Sequence, residues 1–97
     1  MEVSFRLLYH PEVVSADIAR LDKRVKGRLS RALAQRLETQ PESFGRPLRG
    51  SLAGYWKLRV GDYRVVFRVV RSEVWVYAII HRKDVYEDVL KRLEWRA

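Results

Sequence analysis

The first forty residues show two hydrophobic periodicities in succession. From Val3 to Tyr9 an apolar side chain recurs at every second position, which predicts a strand with one buried face. Pro11 suits the first turn of a helix, and apolar residues then recur at helical spacing as far as Leu21. A further set repeats every four residues and indicates a second, amphipathic helix: Val25, Leu29, Leu33 and Leu37.

The second half of the chain has the pattern of an antiparallel meander. Residues 40–54 are rich in glycine and proline and are expected to form a connecting loop. Residues 55–81 are dominated by β-branched, aromatic and arginine side chains, with interruptions at Gly61-Asp62 and near Arg71-Ser72, which predicts three strands. Finally, apolar residues at helical spacing indicate a short C-terminal helix: Val85, Val89 and Leu93.

Together these elements predict a compact α+β fold. It consists of an N-terminal strand, two helices, a three-stranded antiparallel meander and a short C-terminal helix. The chain has 97 residues, of which 47% are hydrophobic, and this size and apolar content fit one domain over residues 1–97.

The turn at Gly61-Asp62 determines how charged residues are arranged on the meander. Glycine accepts the positive φ required at the first central position of a type II′ turn, so Arg59 is expected opposite Arg64. Alternation then sorts the side chains onto two faces. One is nearly all apolar and is expected to lie under the helices; we call it the helix face. The other, the basic face, carries Tyr55, Lys57, Arg59, Arg64, Val66 and Arg68.

A second two-residue turn at Arg71-Ser72 would place Arg64 beside Ile79 and add three residues to the basic face: Trp75, Tyr77 and His81. Opposed arginines cost up to about 1 kcal/mol relative to a neutral pair. One explanation is that they splay into solvent or meet nearby carboxylates; the other is an anion site. Residues 40–72 carry seven basic and two acidic side chains, which favours the anion site.

Composition narrows the classes of partner. A formal net charge of +8 and 15 arginines among 20 basic residues favour polyanions, especially phosphate. The absence of cysteine and of a long apolar run favours a cytoplasmic protein over an exported or membrane-embedded one. With two histidines and no glycine-rich phosphate loop or nucleophile motif, we expect no metal site and no small-molecule cofactor.

Three segments together resemble the RelE/ParE superfamily of type II toxin-antitoxin toxins. They are Pro47-Leu48 followed by Gly50, the run from Tyr55 to Phe67, and His81-Arg82-Lys83-Asp84-Val85-Tyr86. The resemblance implies the RelE-like compact fold and a cognate antitoxin partner. The RelE branch is the more similar, and its members cleave mRNA in the ribosomal A site. On matching positions the resemblance implies these catalytic residues: Lys57, Arg59, Arg64, His81, Arg82 and Tyr86.

RNA cleavage by the neighbouring 2′-hydroxyl passes through a crowded phosphorane whose added charge must be met by cations, a role that suits Arg64 and Arg82. The proton acceptor is expected to be Lys57 or His81. Neighbouring cations would repel a positive charge on Lys57 and so favour its neutral form. Tyr86 is expected either to stack on a base or to anchor the terminal helix. Further RNA contacts are expected from Arg46, Arg49, Tyr55, Arg68, Trp75, Tyr77 and Lys83.

Two alternatives remain open at this point. The chain resembles ParE-like toxins, which bind DNA gyrase and have no ribonuclease activity, in its fold and its Gly-Asp-Tyr-Arg hairpin. The basic face alone would also suffice for a non-catalytic RNA-binding module, whose binding to RNA would depend steeply on salt.

Overall fold

A computed structural model describes residues 4–84 and 86–97, and its sheet has five strands rather than four. The strands are β1 (Arg6–Tyr9), β2 (Arg46–Pro47), β3 (Trp56–Val60), β4 (Tyr63–Val70) and β5 (Glu73–His81), in the spatial order β1-β5-β4-β3-β2. β1 runs parallel to β5, and the other pairs are antiparallel. The predicted α+β class and the meander are confirmed; Val3, predicted to begin the first strand, lies outside the described residues.

Two helices cover the helix face. α1 (Val13–Ile18) is a π-helix, whose turns are wider than those of an α-helix. α2 (Lys23–Ala32) is an α-helix that continues as a π-helical segment over Leu33–Leu37. The Asp22 carboxylate accepts a hydrogen bond from the Val25 N–H at 2.9 Å and so caps α2. The predicted period of α2 is confirmed, since Leu29, Leu33 and Leu37 are buried in the main core. Within the described ranges, no helix is long and apolar enough to cross a membrane.

The segment predicted as a loop is more regular than expected. It contains a short helix, α3 (Pro41–Phe44), and the two-residue strand β2, in which Arg46 pairs with Lys57 of β3. Gly45 joins these elements where a Cβ atom would lie 2.6 Å from the ring of Phe67. A glycine at this position therefore lets the backbone pack closely against the core. It does not mark an irregular loop, so the loop predicted from the number of glycines and prolines is wrong.

The predicted hairpin between β3 and β4 is confirmed. Arg59 pairs with Arg64, and Val60 pairs with Tyr63, across a turn formed by Gly61 and Asp62. Gly61 has a φ of 59° and Asp62 has no positive φ. Both are what a type II′ turn requires. The second predicted turn is also present, because Val70 pairs with Glu73 across Arg71 and Ser72.

A β-bulge in β5 changes the predicted faces. Val66 pairs with Ala78 but Phe67 pairs with Val76, so Tyr77 is an extra residue. The alternation therefore reverses after Tyr77. Arg64 pairs with Ile80, not Ile79 as predicted, and His81 pairs with Tyr63 and lies on the helix face.

A buried ion pair between Asp17 and Arg92 stabilises this bulge. β1 ends at Tyr9, so β5 has no strand beside it on that edge beyond Val76. Instead, the Asp17 carboxylate accepts the Ile79 N–H at 2.8 Å, and Arg92 donates to the Tyr77 carbonyl at 3.1 Å. Backbone groups of β5 that have no neighbouring strand are thus hydrogen-bonded by side chains distant in sequence.

The C-terminal segment covers part of the basic face. Helix α4 (Glu87–Leu90) brings Val89 into a second apolar cluster; Val85, predicted to begin this helix, lies outside the described residues. Beyond α4, the Tyr55 hydroxyl donates to the Leu93 carbonyl at 3.1 Å and the Tyr77 hydroxyl donates to the Trp95 carbonyl at 3.0 Å. The basic face is consequently open only toward β2, β3 and the hairpin tip, and not along its whole length as predicted.

Candidate anion-binding site

Five basic side chains converge on one cleft, which we call the basic cleft. It has a volume of about 220 Å³ and is lined by Arg36, Arg46, Lys57, Arg59 and Arg64, together with Phe44 and Leu58. The cations come from the end of α2 and from three adjacent strands. Among the described residues no carboxylate lines the cleft, so an anion can enter without displacing an internal partner.

The backbone of the hairpin tip positions Arg64. Its Nη1 donates to the Gly61 carbonyl at 3.1 Å and to the Tyr63 carbonyl at 3.0 Å. The side chain is half-buried, and both of these bonds use the same nitrogen. Since a guanidinium has five donors in a fixed plane, its other N–H groups have a defined direction and can bind an anion.

Arg82 lies at the same hairpin tip. Its backbone N–H donates to the Asp62 carbonyl at 2.7 Å, and its Nε is 3.7 Å from the Asp62 carboxylate. Both side chains are more than half exposed, so solvent screens this ion pair and leaves it weak. Arg64 and Arg82 thus contact the same turn, but Arg82 is not among the residues that line the basic cleft.

Lys57 and Arg59 extend from β3, and both line the cleft on the same face as Arg64. Lys57 is half-buried, whereas Arg59 is exposed. Arg36, which donates to the Arg59 carbonyl at 3.4 Å, reaches the free edge of β3 from α2. The predicted convergence of residues 57, 59 and 64 is therefore confirmed.

His81 does not line the basic cleft. Its ring packs edge-on against Tyr63, with centroids 5.3 Å apart, and its Nδ1 accepts a hydrogen bond from the Lys83 N–H at 3.2 Å. The prediction that His81 joins the basic face is wrong because the bulge at Tyr77 reverses the alternation. Tyr86 is half-buried against the second apolar cluster, as expected for a residue that anchors the terminal helix.

The seven residues predicted to contact RNA divide into four groups. Arg46 lines the basic cleft, whereas Arg49 and Lys83 are exposed outside it. Arg68 lies over the ring of Tyr55, 5.9 Å from its centroid. Trp75 and Tyr77 are 8% and 0% exposed and pack against Trp95, so their predicted use as stacking surfaces is wrong in this conformation.

Sequence reasoning missed Arg36, Asp17 and Arg92. The signal for Asp17 is its place four residues after Val13, within the buried stripe of α1, where an acidic side chain needs a partner. Its hydrogen bond to Asp17 raises the pKa of Arg92, against the opposing effect of burial. Arg36 gave no comparable signal, because only the packing of α2 beside β3 brings it to the cleft.

Comparison with known proteins assigns the family. A model of the ParE toxin of type II toxin-antitoxin systems (parDE) matches residues 6–86. Toxin RelG of Mycobacterium tuberculosis is 36% identical over 52 residues, which are 52% of this chain and 60% of that protein, so the chain spans about three fifths of this curated relative.

Solved structures give the same result for the fold. The toxin-antitoxin complex RelBE2 from Mycobacterium tuberculosis matches with a TM-score of 0.77 at 26% identity, covering 84% of this chain and 95% of the other. The archaeal RelE-RelB complex from Pyrococcus horikoshii OT3 matches with a TM-score of 0.64, also at 26% identity, covering 84% and 99%. Because the family model spans most of its length, the chain belongs to the ParE toxin family, within the RelE/ParE superfamily of type II toxin-antitoxin toxins.

Proposed function

We propose that this protein is a toxin that cleaves mRNA on the ribosome and thereby inhibits translation. The observation that carries the proposal is the basic cleft, in which five cations meet with no carboxylate among the described lining residues. Such a cleft attracts a phosphodiester and supplies preorganised donors where charge develops during cleavage. The similarity to Toxin RelG and to RelE-containing complexes supports the RelE type of activity.

The proposed reaction uses side chains of this protein, the RNA and water. The 2′-oxygen attacks phosphorus, which forms the O2′–P bond and breaks the P–O5′ bond. Arg64 and Arg82 stabilise the added negative charge of the phosphorane. Lys57, as the neutral amine, accepts the proton of the 2′-hydroxyl, since His81 faces away from the cleft. The leaving 5′-oxygen takes up a proton from water, and Lys57 later returns its own proton to water. Arg59 and Arg46 hold the flanking phosphates, and Tyr86 anchors the C-terminal segment against the second apolar cluster.

A cognate antitoxin is the partner we propose for the toxin when it is not bound to the ribosome. Of the two solved relatives above, one is a toxin-antitoxin complex and the other is a RelE-RelB complex. A formal net charge of +8 favours an acidic, amphipathic segment that covers the basic face and cancels part of this charge. The ribosome and mRNA are the targets in the cytoplasm, where translation takes place.

Inhibition of DNA gyrase is the second candidate. It is favoured by the family model, which is that of the ParE toxin. The separation of His81 from the cleft also removes one of the two predicted proton acceptors. This candidate predicts loss of gyrase supercoiling by the purified chain without any cut in RNA.

Primer extension on translated mRNA tests the proposal. Cuts are expected with the wild-type chain and are expected to disappear with the double variant Lys57→Ala, Arg64→Ala. The matched control is Arg6→Ala, Lys91→Ala, which also removes one arginine and one lysine, both exposed and outside the cleft. Unchanged cuts with the first variant, or loss of supercoiling without any cuts, would contradict the ribonuclease assignment.

A further inference from the structure

Helix α2 and its continuation carry an unusual charge. From Lys23 to Leu37 there are six basic residues and no acidic one: Lys23, Arg24, Lys26, Arg28, Arg31 and Arg36. Arg24, Arg28 and Arg31 follow one another at helical spacings of four and three residues, and all three are exposed. They form an exposed stripe along α2.

Part of this stripe borders a second cleft, which we call the helix cleft. It has a volume of about 190 Å³ and is lined by Arg28, Arg31 and Arg36, with Ala32, Gln35 and Val60. No carboxylate of the described residues lines it. Arg36 lines both this cleft and the basic cleft, so the two are adjacent around the edge of β3.

The guanidinium of Arg28 lies beside the hairpin tip. A Cβ atom on Gly61 would lie 2.8 Å from Nη1 of Arg28 and 3.0 Å from its Cζ. The guanidinium therefore occupies the space that any larger side chain at position 61 would need. Because Arg64 donates to the Gly61 carbonyl, arginines from α2 and from β4 both approach this glycine.

The clustering of arginines on α2 and its continuation destabilises the folded protein. Like charges three or four residues apart on a helix repel. Within the described parts of the chain, no ion pair involves Arg28, Arg31 or Arg36. A bound polyanion would remove the repulsion, and planar guanidinium groups match phosphate in particular.

We propose that the helix cleft is a second phosphate-binding site, which holds the backbone of the RNA outside the segment that is cleaved. The RNA passes from the basic cleft around the edge of β3, with Arg36 contacting the strand in both. The identity of the ligand as RNA rests on the proposed function, whereas the location of the site rests on the two adjoining clefts. Continuity with the basic cleft favours a long phosphate chain over an acidic protein segment.

Binding of a fluorescent 20-nucleotide single-stranded RNA tests this site. The full chain is compared with Arg28→Gln, Arg31→Gln and with the control Lys23→Gln, Lys26→Gln, which removes the same charge from another side of the same helix. Losing two phosphate contacts reduces the slope of log affinity against log salt by about 1.4. At about 0.1 M salt the arginine variant is expected to bind roughly tenfold more weakly or worse. The control is expected to change affinity by less than about threefold.

Equal losses in the two variants would show that only net charge matters and would overturn the proposal, as would an unchanged affinity in the arginine variant. Poly-glutamate bound more tightly than the RNA, with a loss confined to the arginine variant, would assign the cleft to an acidic protein and overturn it as well. Thermal melting of each variant checks that folding is retained. Since affinity is measured and not cleavage, selective loss of binding in the arginine variant together with no cuts in translated mRNA would contradict the ribonuclease assignment alone.

Discussion

Asp17 and Arg92 form a bidentate ion pair between residues far apart in the chain. Nη1 of Arg92 lies 2.7 Å from Oδ2 of Asp17, and Nη2 lies 3.0 Å from Oδ1. Both residues are buried, and each also binds a backbone group of β5 at the bulge. The pair therefore stabilises the bulge and fixes the C-terminal segment on the basic face.

Removing one partner of this pair is expected to be strongly destabilising. Asp17→Ala leaves the buried guanidinium of Arg92 without its main partner, which should lower the free energy of unfolding by about 3 kcal/mol. Urea denaturation measures the change. The control Asp88→Ala removes a carboxylate that is 3.9 Å from Lys91 and 81% exposed, so it should change stability by less than about 0.5 kcal/mol. Equal effects of the two substitutions would contradict the structural role of Asp17.

The two hairpin turns of the meander carry different residues at the same position. Gly61 and Arg71 each begin a two-residue turn, with φ of 59° and 57°. A positive φ is strained for any residue with a Cβ atom but not for glycine. Arg71→Gly is therefore expected to raise the free energy of unfolding by about 0.5–1 kcal/mol. Gly61→Ala should lower it by about 1–2 kcal/mol. A Tm that falls for Arg71→Gly would be inconsistent with the strained turn.

His10 is expected to make stability depend on pH. Burial, followed by the charge of Arg92, lowers the pKa of His10 below its ordinary value of 6.5. Its Nδ1 also accepts the Glu12 N–H at 3.0 Å, which requires the neutral ring. The unfolded chain therefore binds a proton more readily, so this contribution is fully present above about pH 6.5 and is lost as the pH falls through the lowered pKa.

Urea midpoints between pH 5 and pH 7.5 measure this effect. The wild-type midpoint is expected to rise with pH over this window, and His10→Gln should reduce the slope. The ring of His10 packs against Trp95 at 5.4 Å, so fluorescence of the C-terminal segment should follow the same change. An identical slope in the two proteins would show that His10 does not titrate differently on folding.

Local patterns in the sequence predicted the hairpin and its pairing. The register of β3 and β4 follows from two residues, Gly61 and Asp62, and needs no information from elsewhere in the chain. The bulge at Tyr77 could not be predicted in this way. No glycine or proline marks it, and its backbone partners come from Asp17 and Arg92, which are 60 and 15 residues from it in sequence.

The same distinction separates the candidate residues that lie where they were predicted from those that do not. Lys57, Arg59 and Arg64 lie on the hairpin whose register is local, and they do converge. His81 lies beyond the bulge in β5, and its predicted face is wrong. Trp75 and Tyr77 lie on the predicted basic face but are buried under the C-terminal segment, so their predicted role as stacking surfaces is wrong. Arg36 reaches the cleft only through the packing of α2 beside β3, which periodicity does not reveal.

The rate at which mRNA is cleaved on programmed ribosomes, under single-turnover conditions, tests the central claim most directly. Arg64→Gln keeps a polar side chain but removes the charge that the hairpin tip directs into the basic cleft. The rate is expected to fall at least about 100-fold, as when a preorganised donor to a developing charge is lost. Arg6→Gln, an equal change of charge at the opposite edge of the sheet, should leave the rate within about threefold of wild type. Equal rates for Arg64→Gln and wild type would show that the basic cleft is not the cleavage centre.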